Sequence, residues 1–144
     1  MSESDGFSAA ERAAMKQRAE ELRATKGVKG TAKKIKELEA CLETIDGLEG
    51  LDRVIGERLH VIVSEVAPDL DAKTRYGFPT YVRDGEVIVF FQPASKFNTR
   101  YAQVAFEQSA QLDDGAMWPT AFAIVEWNDT VDATLRELVT KAVG

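Results

Sequence analysis

Thr74-Arg75-Tyr76-Gly77-Phe78-Pro79-Thr80-Tyr81 is the stretch whose reading decides the fold. Three aromatic residues, a glycine and a proline within eight positions do not suit a solvated loop. An amphipathic helix precedes the stretch and a hairpin signal follows it, so it marks the change from helix to sheet. Residues 73–76 read as a first strand, Gly77 and Pro79 bend the chain, and residues 80–83 resume as strand. Asp84-Gly85 then supplies the two positive-φ positions of a type I′ turn between strand formers. The returning strand, 86–91, is apolar on both faces, as a central strand covered on each side would be.

Working outward, Leu51, Val54, Ile55, Leu59, Ile62, Val63 and Val66 form one broad apolar face over residues 48–66, predicting a helix that docks on the sheet. Ala67-Pro68 ends it, because the residue before proline avoids the α region. The lone histidine, His60, projects from the opposite side at 100° per residue and is expected in solvent. Upstream, Thr31 is placed as the cap of a helix carrying Ile35, Leu38, Leu42 and Ile45 and closed by Gly47; Cys41 falls on the flank of its stripe as a small hydrophobe. Ser8 and Glu11 form a capping box for a narrow, alanine-rich helix over 9–24, and a Gly/Lys linker near 26–30 separates the two. Residues 1–46 thus read as an N-terminal helical extension and 47–144 as the body.

Downstream, 92–99 reads as a loop, 100–106 as a strand with Ala102, Val104 and Phe106 on one face, Asp113-Asp114-Gly115 as a turn, and 120–127 as a last extended run. Asn128 or Asp129 caps a final helix whose apolar face is Val131, Leu135, Leu138, Val139 and Ala142. Connections this short leave no room for crossover helices. The prediction is an α+β domain: an antiparallel sheet of four to five strands with helices packed on it, preceded by a helical arm.

The chain of 144 residues is 44% hydrophobic, and its net charge of −6 argues against a nucleic-acid partner, whose phosphates demand a surplus of cations. Residues 72–101 reverse that balance, with five basic and two acidic side chains. One cysteine excludes an intramolecular disulfide. Met1-Ser2-Glu3-Ser4-Asp5 has no basic or apolar leader character and no run approaches a membrane span, so the expectation is a cytoplasmic protein without a membrane partner.

There is no second histidine, no Cys-x-x-Cys, no phosphate-binding Gly-x-x-x-x-Gly-Lys and no Gly-x-Ser-x-Gly. Zinc hydrolysis, P-loop chemistry and serine or cysteine triads therefore lack parts, and the expectation is a binding protein rather than an enzyme. Arg75, Tyr76, Phe78, Tyr81, Lys96 and Arg100 pair stacking surfaces with cationic donors and suit an anionic or aromatic ligand. The alternative is that Tyr76, Phe78 and Tyr81 simply pack, Tyr76 included, while the cations decorate strand edges. Glu65, Asp69 and Asp71 near the end of the long helix, and Asp113 and Asp114 in the later turn, are the oxygen donors that a hard cation would use.

Ala67-Pro68, the Arg75-Tyr76-Gly77-Phe78-Pro79 core, the hairpin strand ending Phe90-Phe91 and the Lys96-Phe97 pair together resemble the DUF1801 domain family over residues 48–143. The resemblance implies a frataxin-like architecture and, for some members, intracellular iron-chaperone function, with iron weakly bound. Three readings follow: an iron chaperone, a module for an anionic small molecule or acidic peptide, and a homo-oligomeric domain with an aromatic interface. The partner is then a small molecule or a protein, and the chain a monomer or homodimer.

Overall fold

The computed structural model describes Glu11, Arg12 and residues 30–144. The capping box at Ser8, most of the expected 9–24 helix and the linker lie outside the described residues.

Two hairpins of two-residue turns build the first half of the sheet. Strand β1, Asp71–Arg75, meets β2, Phe78–Arg83, through Tyr76 and Gly77, whose φ values are 56° and 78°. Strand β2 meets β3, Glu86–Gln92, through Asp84 and Gly85, with φ values of 52° and 81°. Positive φ at both central residues is the requirement of the type I′ turn, whose twist matches that of the strands. The second turn is the one expected from sequence. The first corrects the expected bend: the chain reverses fully at Tyr76-Gly77, and Pro79 lies inside β2. Proline is tolerated there because Pro79 pairs only with Thr74 of β1, the ladder to β3 beginning one residue later at Thr80.

Strands β4, Ala102–Phe106, and β5, Ala121–Ile124, complete a five-stranded antiparallel sheet in the order β1-β2-β3-β4-β5. The apolar strand β3 is its centre. The register slips between Tyr81 and Val82, leaving Ile88 without a cross-strand partner on β2. This bulge explains how the adjacent residues Ile88 and Val89 both enter the core.

Helix α1, Thr31–Asp46, runs beside the edge strand β1, where Lys34 meets Asp71 at 3.4 Å and Lys73 meets Glu37 at 3.9 Å. Gly30, at φ 84°, takes the cap position, so Thr31 is the first helical residue and buried rather than the cap. Helix α2, Gly50–Val66, ends at Ala67 as the following proline requires. A short helix α3, Ala94–Phe97, interrupts the expected 92–99 loop. Helix α4, Asp129–Ala142, is capped by Asn128, whose side chain accepts the Val131 amide at 2.9 Å, and it packs on α2. Gly56 lets the layers close: a Cβ added there would lie 3.4 Å from both Ile45 of α1 and Phe91 of β3.

Because α2 is covered by more than the sheet, its burial wraps past one face. His60 is the correction that follows: it is 5% exposed, and its Nδ1 lies 3.0 Å from the Tyr81 hydroxyl. Cys41 is fully buried against the same tyrosine. Burial pushes the His60 pKa down to about 4 and the thiol up to about 12, so the ring is neutral and the sulfur protonated near pH 7. A neutral imidazole in contact with a phenol, and a phenol in contact with a thiol, form a polar seam that ties α1 and α2 to β2.

The folded state disfavours protonated His60, so its contribution to stability is complete above the ordinary histidine pKa of 6.5 and is lost as pH falls toward about 4. Unfolding titrations of the parent and of His60→Gln should differ by an amount that shrinks across this window by about 3 kcal/mol. A difference independent of pH would refute a buried neutral histidine.

Candidate functional site

Cross-strand partners share a face, so the register assigns every sheet side chain to one side or the other. One face carries Tyr81, Val89 and Phe106 in a row, then Phe91, Val104 and Phe122, then Ala102 and Ile124. These residues pack with the helices in the core. The second face carries Arg75 beside Phe78, then Lys73, Thr80, Phe90, Ala105 and Ala121, then Gln92, Gln103 and Ala123. Aromatic, cationic and small residues replace the aliphatic pattern there.

At the β1–β2 end of this second face the aromatics gather. Phe78 stacks on Phe90 at 6.0 Å between centroids and meets Phe97 edge-on at 5.2 Å and Tyr76 edge-on at 6.4 Å. The Arg75 guanidinium lies 5.2 Å from the Phe90 ring centre and 5.6 Å from that of Tyr76, distances typical of cation–π attraction. Its Nη2 donates to Glu107 at 2.6 Å, which raises the arginine pKa further and keeps the group charged. Lys96 reaches over the turn: its ammonium nitrogen lies 2.8 Å from where a Cβ on Gly77 would sit, and the φ of 78° there favours glycine. Lys96 forms no ion pair with a described residue.

Four of the six residues named from sequence therefore converge: Arg75, Tyr76, Phe78 and Lys96. Phe90 and Glu107 join them, and neither was a sequence candidate; strand alternation within 86–91 is the signal that would have separated Phe90 from its core neighbours. Tyr81 does not join. It is 1% exposed on the opposite face with its hydroxyl engaged by His60, because the parity of β2 turns positions 78 and 81 to opposite sides. Tyr76 corrects the packing alternative in the other direction, being 81% exposed.

Arg100 is separated from the cluster by α3. It lies over the Tyr101 ring at 5.2 Å and lines an open groove of about 350 Å³ with Leu51, Asp52, Ser95 and Val125. Asp52 fixes the element between the two regions. Its carboxylate accepts the Ala94 and Ser95 amides, each at 3.0 Å, and the Ser95 hydroxyl at 2.6 Å, locking α3 to α2. Phe97 and Lys96 are thereby held against the β1–β2 turn.

The acidic candidates lie apart. Glu65 binds Arg136 at 2.6 Å and Asp71 binds Lys34, while Asp69, Asp113 and Asp114 are exposed. Among the described residues no group of three or more histidine, cysteine, aspartate and glutamate side chains is placed to hold a metal ion. Among them, too, no helix is long and apolar enough to cross a membrane. Comparison of the chain with known protein families, with curated proteins and with solved structures finds no match.

The turn provides a direct test of why Tyr76 is there. A non-glycine residue in the left-handed region costs about 1 kcal/mol, which asparagine largely avoids. Tyr76→Asn should leave the midpoint of urea unfolding unchanged or higher, whereas a structural ring would lose about 3 kcal/mol or more. Asp52→Ala should lower stability by about 2 kcal/mol through three lost hydrogen bonds to a carboxylate, and should broaden the amide signals of residues 93–99. Sharp, unshifted signals there would show that α3 is held by other contacts.

Proposed function

We propose that this chain is a cytoplasmic, non-enzymatic binding domain whose Tyr76-centred cluster recognises an acidic segment of a partner protein. The observation that carries the reading is the placement of Tyr76. It occupies a positive-φ turn position, exposes 81% of its surface and contributes nothing to the core. The other hairpin meets the same backbone requirement with Asp84, a residue suited to it. An aromatic held at a conformational cost on a protruding turn serves something outside the fold.

The surrounding chemistry supports the choice of partner. Tyrosine, phenylalanine and arginine are the residues that dominate protein interfaces, since rigid rings bury large areas while losing little side-chain entropy. Lys96 supplies positive charge above the turn, and Lys73, which pairs with Glu37, lies on the same face, in a chain that is acidic elsewhere. Phe97 and Tyr76 offer edges and faces to an apolar side chain between carboxylates. The DUF1801 resemblance adds iron handling as an expectation for relatives; here the carboxylates do not converge, and the aromatic cluster carries the proposal instead.

Titrating the ¹⁵N-labelled protein with a synthetic Glu-Glu-Trp-Glu-Glu peptide tests it. Amide shifts should concentrate at Arg75, Tyr76, Gly77, Phe78, Phe90, Lys96 and Phe97, weaken as salt is raised, and vanish in Tyr76→Asn. Shifts that ignore Tyr76→Asn, or none at saturating peptide, would remove the proposal. Equal displacement by free inorganic phosphate would assign the site to a small anion.

A further inference from the structure

The two edges of the sheet are treated differently. The β1 edge is lined by α1 and bordered by the Lys34–Asp71 and Lys73–Glu37 ion pairs. The β5 edge has β4 on one side and, among the described residues, no strand on the other. Exposed edges present unpaired backbone donors and acceptors, and proteins that stay monomeric protect them with lysine, proline or inward-pointing charge. Strand β5, Ala121–Ile124, is short but carries none of these. From Gly115 to Val125 there are eleven consecutive residues without a charge, in a chain that is 29% charged. This run is not hidden: Met117 is 87% exposed and Val125 68%, and Ala121 and Ala123 are exposed between them.

We infer that β5 pairs antiparallel with β5 of a second copy of this chain, across a two-fold axis through Ala123, to form a continuous ten-stranded sheet. The sequence of the strand is self-complementary in that arrangement. Ala123 meets its own copy, Ala121 meets Val125, and Phe122 meets Ile124, so no two like charges stand opposite one another. A two-fold axis perpendicular to the sheet also keeps faces matched. Phe122 and Ile124, which pack in or against the core of one copy, abut Ile124 and Phe122 of the other, so the helical layers lie on one side. Ala121 and Ala123 are small, and on the opposite face they allow the two sheets to approach without a side-chain barrier. A heterologous partner would need charge or shape to select it, and the edge offers neither. The Tyr76 clusters then lie at the two far ends of the joined sheet, beside the β1 strands, and stay accessible to partners.

Sedimentation of the full chain over a concentration series tests the inference, with Ala123→Lys as the principal variant. This substitution places two ammonium groups face to face at the axis, at a position exposed in the single copy. The expected result is a wild-type dimer that dissociates on dilution, and an Ala123→Lys monomer with an unchanged circular dichroism spectrum. A second measurement does not depend on any variant: the Phe106 amide donates to Thr120, so Ala123 turns its own N–H and C=O outward, and in a mixture of ¹³C-labelled and unlabelled protein an isotope-filtered experiment should show contact between Phe122 Hα of one copy and Ile124 Hα of the other. The inference is overturned by a monomer at every concentration, by a dimer that lacks this contact, or by a dimer that survives Ala123→Lys and dissociates in Tyr76→Asn.

Discussion

The side chains of the hairpin strands are assigned their faces by two turns of two residues, each with positive φ at both positions, together with the bulge at Ile88. Because strand side chains alternate with period two, these turns set which residues of β2 look toward the helices. Tyr81 faces inward to His60 and Cys41; Phe78 faces outward to Phe90 and Arg75. Moving the first turn by one residue would exchange the two sets, burying an arginine and exposing the tyrosine that ties α1 and α2 to the sheet. Core and candidate site are therefore two consequences of one geometric constraint.

The core face combines aliphatic packing with a polar seam. Tyr81, His60 and Cys41 satisfy part of one another's hydrogen-bonding capacity, which is what makes their burial affordable. Loss of solvent keeps the histidine neutral and the thiol protonated, so these groups act as structural polar contacts rather than as a base and a nucleophile. The same logic applies to Asp52, a buried carboxylate whose oxygens are occupied by the start of α3. Through it, a helix on one side of the sheet positions Lys96 and Phe97 on the other. The recognition surface is thus anchored in the core although its residues are exposed.

Charge is distributed to match. Arg58 and Arg136 meet at Asp132, with Arg58 also bound to Glu11 and Arg136 to Glu65, so both arginines of the α2–α4 surface are fully paired. At the cluster, Arg75 is balanced by Glu107 while Lys96 has no acidic partner among the described residues. Excess positive charge is thereby concentrated beside Tyr76, and the β5 edge is left without charge. Two surfaces of different chemistry sit at opposite ends of one sheet.

The α+β class, the Asp84-Gly85 hairpin, the central position of β3, the stop at Ala67-Pro68 and a cap at Asn128 or Asp129 were all legible in the sequence, because each rests on local backbone preference or on alternation within one element. The cluster was legible in part: the crowding of Arg75, Tyr76 and Phe78 with Lys96 nearby was visible, since three of the four lie within four consecutive positions. What depended on tertiary structure was sidedness. A helical wheel, which supposes one buried face, puts His60 in solvent, but α2 has neighbours beyond the sheet. Proximity in sequence groups Tyr81 with Tyr76 and Phe78, yet strand parity separates them. Phe90, Glu107 and the Asp52 clamp are long-range partners that no local pattern encodes. Residue identity determined which elements form and where they turn; only the assembled sheet decided which of their side chains meet one another and which are left to meet a partner.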